Sequence, residues 1–294
     1  MNKIFAAVFG LLFFIFNSCA AYSAEGSIRI TMLDVGQGDS FLVETPEQNI
    51  LIDSGTVNSR SALIAQINDA GVTRFERIIL THPHSDHIGG IQAVLDNFPV
   101  DLICDNGRVS RSPLFKQYRL ADTNFSTFKQ GDILDFGGGA FFQVLNPPLF
   151  PFYKNPNDFS IVGKLTFGDF SMLFTGDATQ TVEEDLLAFN LNSTILQVPH
   201  HGSKSSATEN FIANVQPQAV FISAGFNNSF GHPHKKTLDT LRFQGISPEN
   251  IFCTAFNGSV RVDSDGSTFS ITPAVPDDWL ERYTGDRIVI THLD

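Results

Sequence analysis

The chain has 294 residues, enough for one large core, and a single domain is expected. Its 19 Lys and Arg stand against 31 Asp and Glu, a net charge of −12 that excludes a global positive field for drawing in nucleic acid, so any polyanion must be met by local patches. Beyond the leader only Cys104 and Cys253 remain; two buried thiols are expected, with a disulfide in an oxidising compartment as the alternative.

In chain order, Lys3 gives a short positive start and 4–16 is an apolar run of signal-peptide length, shorter than the roughly 20 residues of a membrane span. Small residues follow at 18–24. The reading is a signal peptide over 1–24 and a periplasmic or secreted protein with no membrane span after removal of the signal. Alternatively, 16–19 is an imperfect lipoprotein box, with Cys19 carrying a lipid anchor. Runs rich in β-branched and aromatic residues then predict strands over 28–33, 40–44, 49–52, 77–80, 141–145, 160–167, 170–175, 194–198 and 219–223. Helical spacing falls between them, at 59–70, 90–97, 181–189, 207–215 and 234–243. Gly168-Asp169 and Asn257-Gly258 carry hairpin-turn signals. Hairpins first, then strands alternating with helices, predict an α/β fold: two stacked sheets with helices outside, an αββα four-layer sandwich, over 25–272. Residues 273–294 read as an irregular tail.

Seven of the eight histidines gather where predicted strands end. Three imidazoles and a carboxylate, His82, His84, Asp86 and His87, fall within six residues directly after the strand at 77–80. A dense set of nitrogen and oxygen donors of this kind suits zinc, manganese or iron, and two such ions close together can lower the pKa of a bridging water to near neutral. Asp177 follows an apolar strand and a glycine turn; alone it would read as a helix N-cap. His200, His201 and Ser203 follow another strand, and His232 and His234 lie beyond the next.

Taken together, Asp34-Val35-Gly36-Gln37-Gly38-Asp39-Ser40, Leu51-Ile52-Asp53-Ser54-Gly55, the His82–His87 motif with Gly89-Gly90, Thr175-Gly176-Asp177 and His200-His201-Gly202-Ser203 resemble the metallo-β-lactamase superfamily. More narrowly they resemble its ComEC-type competence branch, the carboxyl-terminal domain of DNA-uptake channel proteins, over about 27–272. Residues 251–266, and Asn157 with Ser160 before a strand, fit the same branch. The resemblance implies a dinuclear site that uses metal-bound hydroxide, with two divalent ions, zinc or manganese. His82 and His84 would hold one ion, Asp86 and His87 the other, and Asp177 would bridge. One of His200 and His201 would complete the second position while the other touches substrate. Asp53 would orient a ligand or the water from behind. The chain departs from many relatives in having no histidine between His87 and His200; Asn157 and Asp158 lie nearest that place, which tilts the choice of ion towards a harder one such as manganese.

The branch implies a phosphodiester substrate, including nucleic acid. Arg108, Arg111, Lys116 and Arg119 cluster without an acidic neighbour among them, interleaved with Phe115 and Tyr118, so cations would meet phosphates and rings would stack on bases, with His232 and Ser203 also at the substrate. The rival enzyme reading is a small or cell-wall phosphodiester such as a phosphocholine ester, caged by Tyr153, Phe150, Phe152, Phe226 and Phe230. A non-catalytic binding module with a structural metal is the reading from a different class. It is disfavoured because an intact bridging Asp177 serves an open site.

If the leader is read correctly, the mature chain begins between Ala20 and Ser27 and lies outside the cytoplasm. Amino-terminal sequencing of the native protein checks this; an intact Met1 terminus on cytoplasmic protein defeats it.

Overall fold

The computed structural model of the chain describes residues 26–276 and 279–282; the signal-peptide and lipid-anchor readings fall outside the described residues. Strands β1 (Ile28–Met32), β2 (Phe41–Glu44), β3 (Asn49–Ile52), β4 (Arg77–Leu80), β5 (Leu102–Asp105) and β6 (Asn124–Thr127) follow one another across one sheet. Then β7 (Ile133–Gly137), β8 (Ala140–Asn146), β9 (Val162–Phe167), β10 (Phe170–Phe174), β11 (Ile195–Gln197), β12 (Ala219–Ile222) and β13 (Ile251–Cys253) make a second, seven-stranded sheet. The chain returns through β14 (Val260–Ser264), which pairs antiparallel with β1, and β15 (Phe269–Pro273), so the first sheet has eight strands. In each sheet the hairpins precede a parallel run, β3 to β6 and β10 to β13, and parallel strands need crossovers. Most of these are helices: α1 (Arg60–Asp69), α2 (Ser85–Ile88), α3 (Ile91–Asn97), α4 (Pro113–Tyr118), α5 (Gln180–Leu186), α6 (Glu209–Val215) and α7 (Lys235–Phe243).

Three apolar layers follow from the two-residue period of the strands. Along β10, Phe170, Met172 and Phe174 face the other sheet, joining Met32, Phe41, Ile79, Phe142 and Phe221 between the sheets. Leu173 points the opposite way, under Val182, Phe211 and Leu238 of the outer helices. On the other sheet Leu51, Ile78 and Leu80 cover Leu63, Ile67 and Val94. This is the expected αββα sandwich. Cys104 and Cys253 are both buried and free and belong to different layers, in keeping with two thiols; burial pushes each up to about 12.

Gly168-Asp169 closes the β9–β10 hairpin as expected. Asn257-Gly258 does not close one: the strands it separates lie in different sheets, and the Asn257 side chain accepts the Cys253 N–H at 2.9 Å to finish a helical turn, α8 (Thr254–Asn257). Strands β5 and β6 were not expected from the sequence; β6 is a short edge strand with two exposed ends, so it lacks the alternation that marks a half-buried strand. Within the segment read as irregular, α9 (Trp279–Arg282) packs down: Trp279 is buried, donates to the Ile251 carbonyl at 3.2 Å and stacks on Phe256 at 4.5 Å. No described helix is long and apolar enough to cross a membrane.

One contact locks the β8–β9 register. The Phe142 ring lies over Gly163, where an added Cβ would stand 2.0 Å from its Cζ. Gly163→Ala is therefore expected to cost about 1–3 kcal/mol by overpacking, read from urea denaturation, and less in a Phe142→Leu background; equal costs in both backgrounds would show that the ring is not the obstacle.

Candidate metal centre

The site forms where loops at the carboxyl ends of strands from both sheets meet. The segment after β4, a loop running into α2, brings His82, His84, Asp86 and His87; β3 ends before Asp53, β10 before Asp177, and β11 before His200 and His201. The β1–β2 loop closes the group from the side. Gly38 permits this approach, since a Cβ there would stand 2.3 Å from the Asp86 carbonyl oxygen. Asp53, His200 and His201 have positive φ, 59°, 53° and 56°, a conformation that side chains other than glycine adopt at a cost and that collects at functional sites.

Asp177, only 3% exposed, is the meeting point. Its Oδ2 lies 3.6 Å from His82 Nε2, which is 3.0 Å from His84 Nδ1. Its Oδ1 lies 3.2 Å from His87 Nε2 and 3.3 Å from His201 Nε2, and the latter is 3.5 Å from Asp86 Oδ2. One carboxylate thus faces two donor sets, His82 with His84 and Asp86 with His87 and His201, each within 4.8 Å of itself. The fit to cations shows in the atoms left over: His87 Nε2, His201 Nε2 and Asp177 Oδ1 are buried without a hydrogen-bond partner, a costly arrangement unless a positive ion sits among them.

Outer contacts aim these donors. Asp53 accepts the Thr81 N–H and hydroxyl at 2.8 and 2.6 Å and stands 2.7 Å from His87 Nδ1, which leaves Nε2 turned to the site. His201 Nδ1 meets the Ser223 carbonyl at 2.8 Å and lies 3.3 Å from Asp39 Oδ1. Asp39 is itself held by Gln197 Nε2 at 2.6 Å. Ser160 Oγ accepts the Asp177 N–H at 3.1 Å and lies 3.4 Å from His82 Nδ1. The sequence reading gave Asp39 and Gln197 no role. Asp39 lies within the Asp34-to-Ser40 motif, but only a contact 158 residues along the chain reveals what it does.

Charge follows geometry. Burial disfavours the ionised form of Asp177, yet the His87 and His201 imidazoles outweigh it and hold the carboxyl well below the usual range. Against their own burial, Asp177 and Asp53 raise His87, and Asp177 and Asp39 raise His201, well above an ordinary imidazole. Burial keeps His82, His84 and His200 on the neutral side.

His201 joins the second donor set, whereas His200 lies 3.7 Å from Asp177 Oδ2 and 3.2 Å from Asn157 Nδ2. Asn157 reaches the centre. Asp158 does not: its carboxylate accepts the Thr179 hydroxyl at 2.5 Å. Ser203, expected at the substrate, is buried and 3.0 Å from the Ser205 hydroxyl. The basic segment differs from expectation as well. Arg119 has an acidic partner, Asp105, at 3.2 Å, and Phe115 and Tyr118 are core residues of α4 rather than stacking platforms, because the segment forms a helix with an apolar face. Arg111 and Lys116 are exposed, and Arg108 lies over the Phe159 ring at 4.0 Å. Of the five cage aromatics, Tyr153 packs against Phe159, Phe226 against Phe256 and Phe230 against His232, while Phe150 and Phe152 project outward.

A sequence model of the metallo-beta-lactamase superfamily matches residues 33–225. The chain is 32% identical over 277 residues to ComE operon protein 3 of Bacillus subtilis (strain 168), a match covering 85% of this chain and 35% of that protein. It is 33% identical over 228 residues to Competence protein ComA of Neisseria gonorrhoeae, covering 76% and 30%. The chain therefore spans about a third of the length of these relatives. Exodeoxyribonuclease WalJ of Streptococcus pneumoniae is 26% identical over 148 residues, 47% of this chain and 55% of that one. Among solved structures, the metallo-beta-lactamase fold protein YhfI from Bacillus subtilis superimposes with a TM-score of 0.53 at 13% identity, over 78% of this chain and 95% of that one, a likeness of fold alone.

Asp177→Asn keeps the shape but removes the charge that faces both donor sets. It is expected to lower metal content, measured by atomic emission, and to cost on the order of a hundredfold in turnover. Circular dichroism of the metal-free variant at the assay temperature should match the parent, although the variant melts lower because the pairing with His87 and His201 is lost, and this separates lost chemistry from lost folding. An Asn variant with parental metal content and turnover would remove Asp177 from the centre.

Proposed function

The chain belongs to the metallo-beta-lactamase superfamily, and on that premise we propose that it is an exported, metal-dependent phosphodiesterase acting on nucleic acid. The observation that carries the reading is the division of Asp177 between two donor sets, one of two imidazoles and one of two imidazoles and a carboxylate. His82, His84, Asp86, His87, His201 and Asp177 would hold zinc or manganese ions, which would supply Lewis acidity towards a phosphoryl oxygen and lower the pKa of water. The competence-protein and exodeoxyribonuclease names of the relatives favour a nucleic-acid strand.

The chain's own residues do the rest. His200 and His232 line the mouth, 5.7 Å apart between ring centroids, placed to meet the substrate. Asn106 ties the basic segment to the centre by donating to the Thr81 and Phe159 carbonyls at 3.1 and 2.8 Å. Arg108, Arg111 and Lys116 then offer local positive charge on an acidic molecule, and their part is to position phosphates. Arg119 is engaged by Asp105 and belongs to the scaffold.

Replacing Arg108, Arg111 and Lys116 together with Ala should weaken binding of single-stranded DNA and flatten its salt dependence, while hydrolysis of bis-p-nitrophenyl phosphate stays at the parental rate. Equal loss on the small diester would make the segment structural, and no hydrolysis of either substrate by zinc- or manganese-loaded protein would overturn the function itself.

A further inference from the structure

The β1–β2 loop and the loop after β12 meet at one side chain pair. Gln37 Oε1 accepts the Gly225 N–H at 3.1 Å, which settles which end of the amide is oxygen. The NH2 end therefore faces His232 Nδ1, at 3.4 Å, and can only donate there. His232 Nδ1 must accept, so the neutral imidazole carries its proton on Nε2. The backbone around the ring is also held. The His232 N–H donates to Asn228 Oδ1 at 3.0 Å, while Asn228 Nδ2 donates to the His232 and Gly225 carbonyls at 2.6 and 2.8 Å.

The ring so fixed borders the metal centre. Its centroid is 5.7 Å from that of His200 and 6.1 Å from that of His201, and Phe230 stacks on it at 5.6 Å with planes 22° apart. Unlike His82 and His201 it is half-buried, so it stays within reach of a substrate. With Nδ1 accepting from the Gln37 amide, the ring cannot take up a second proton without losing that contact, and it works as a neutral group.

We propose that Gln37 is a positioning residue that locks His232 in its Nε2–H tautomer, and that this N–H donates a hydrogen bond to a non-bridging phosphoryl oxygen of the diester. The proposal rests on the phosphodiesterase reading for its substrate. No proton is transferred: the imidazole stays neutral, and the donor meets the oxygen on which negative charge grows. The opposite tautomer would turn a lone pair towards that oxygen and repel it, so the amide matters although it never touches substrate.

Long-range ¹H–¹⁵N spectra of the zinc-loaded protein report the tautomer, with the His232 signal assigned by its loss in His232→Ala. The parent should carry the proton on Nε2. In Gln37→Glu a carboxylate faces Nδ1 and should draw the proton there, while Gln37→Leu should give a mixture. With bis-p-nitrophenyl phosphate, kcat/KM should fall about a hundredfold in His232→Ala, about tenfold or more in Gln37→Glu, and in Gln37→Leu only in proportion to the fraction of the Nε2–H tautomer lost, with parental metal content in all three. A parent with the proton on Nδ1, or Gln37 variants that change tautomer and keep parental kcat/KM, would overturn the proposal. Its failure and that of the phosphodiesterase reading are distinguishable: the first appears in the tautomer spectrum or the variant kinetics while the parent still cleaves, the second as no diester turnover by the parent.

Discussion

A carboxylate buried at the seam of two sheets governs this molecule. Asp177 has lost almost all of its water, and an ion in that position is tolerated only where positive charge or hydrogen bonds replace the solvent. Its backbone N–H is taken by Ser160, and its oxygens accept no hydrogen bond at Oδ1. What surrounds it instead is imidazole: His82, His87, His200 and His201 all lie within 3.7 Å. Those rings arrive from loops of both sheets, so the stacking of the sheets and the assembly of the centre are one event.

The same requirement explains the second ring of contacts. An imidazole serves a cation only with its lone pair turned inward, and that is set by what the other nitrogen meets. Asp53 does this for His87 and the Ser223 carbonyl for His201. Asp39 backs both rings, 3.3 Å from His201 and 3.7 Å from His87, and is tied to Gln197 on β11. The positive φ of Asp53, His200 and His201 is strain accepted to place these groups. Gln37 extends the logic outward, to the His232 ring, which the proposal turns towards substrate in place of metal.

The donors themselves were legible in the sequence because they sit next to strands whose periodicity is strong. His82, His84, Asp86 and His87 follow Ile78-Ile79-Leu80 directly, and Asp177 follows an all-buried β10. The supporting groups were not legible, for Asp39, Gln197 and Gln37 act through partners 158 to 195 residues away, and no local pattern marks them. Local reading also misjudged α4. Arg119 and Tyr118 look like a nucleic-acid surface in sequence, yet both close on Asp105 at the end of β5, with Tyr118 Oη donating at 3.0 Å, because the Phe115–Tyr118 face completes the core over the first sheet. The Asn257-Gly258 turn failed for a similar reason: the dipeptide favours a sharp reversal, while the sheet each flanking strand joins is decided by packing far away.

Charge finally ties metal to substrate. Asp39, Asp53, Asp86 and Asp177 put four carboxylates at one end of an acidic chain, and the phosphodiester proposed as substrate would bring another negative charge to them. In the metal-free chain, raised His87 and His201 offset part of this with protons. A cation among Asp177, His87 and His201 would compete with those protons and bring a larger positive charge. A cation that improves the site for an anionic substrate is, by linkage, bound more tightly when that substrate is present. On the proposed reading the cation offsets negative charge that the carboxylates and an anionic substrate would share, and Arg108, Arg111 and Lys116 would add local positive charge beside it.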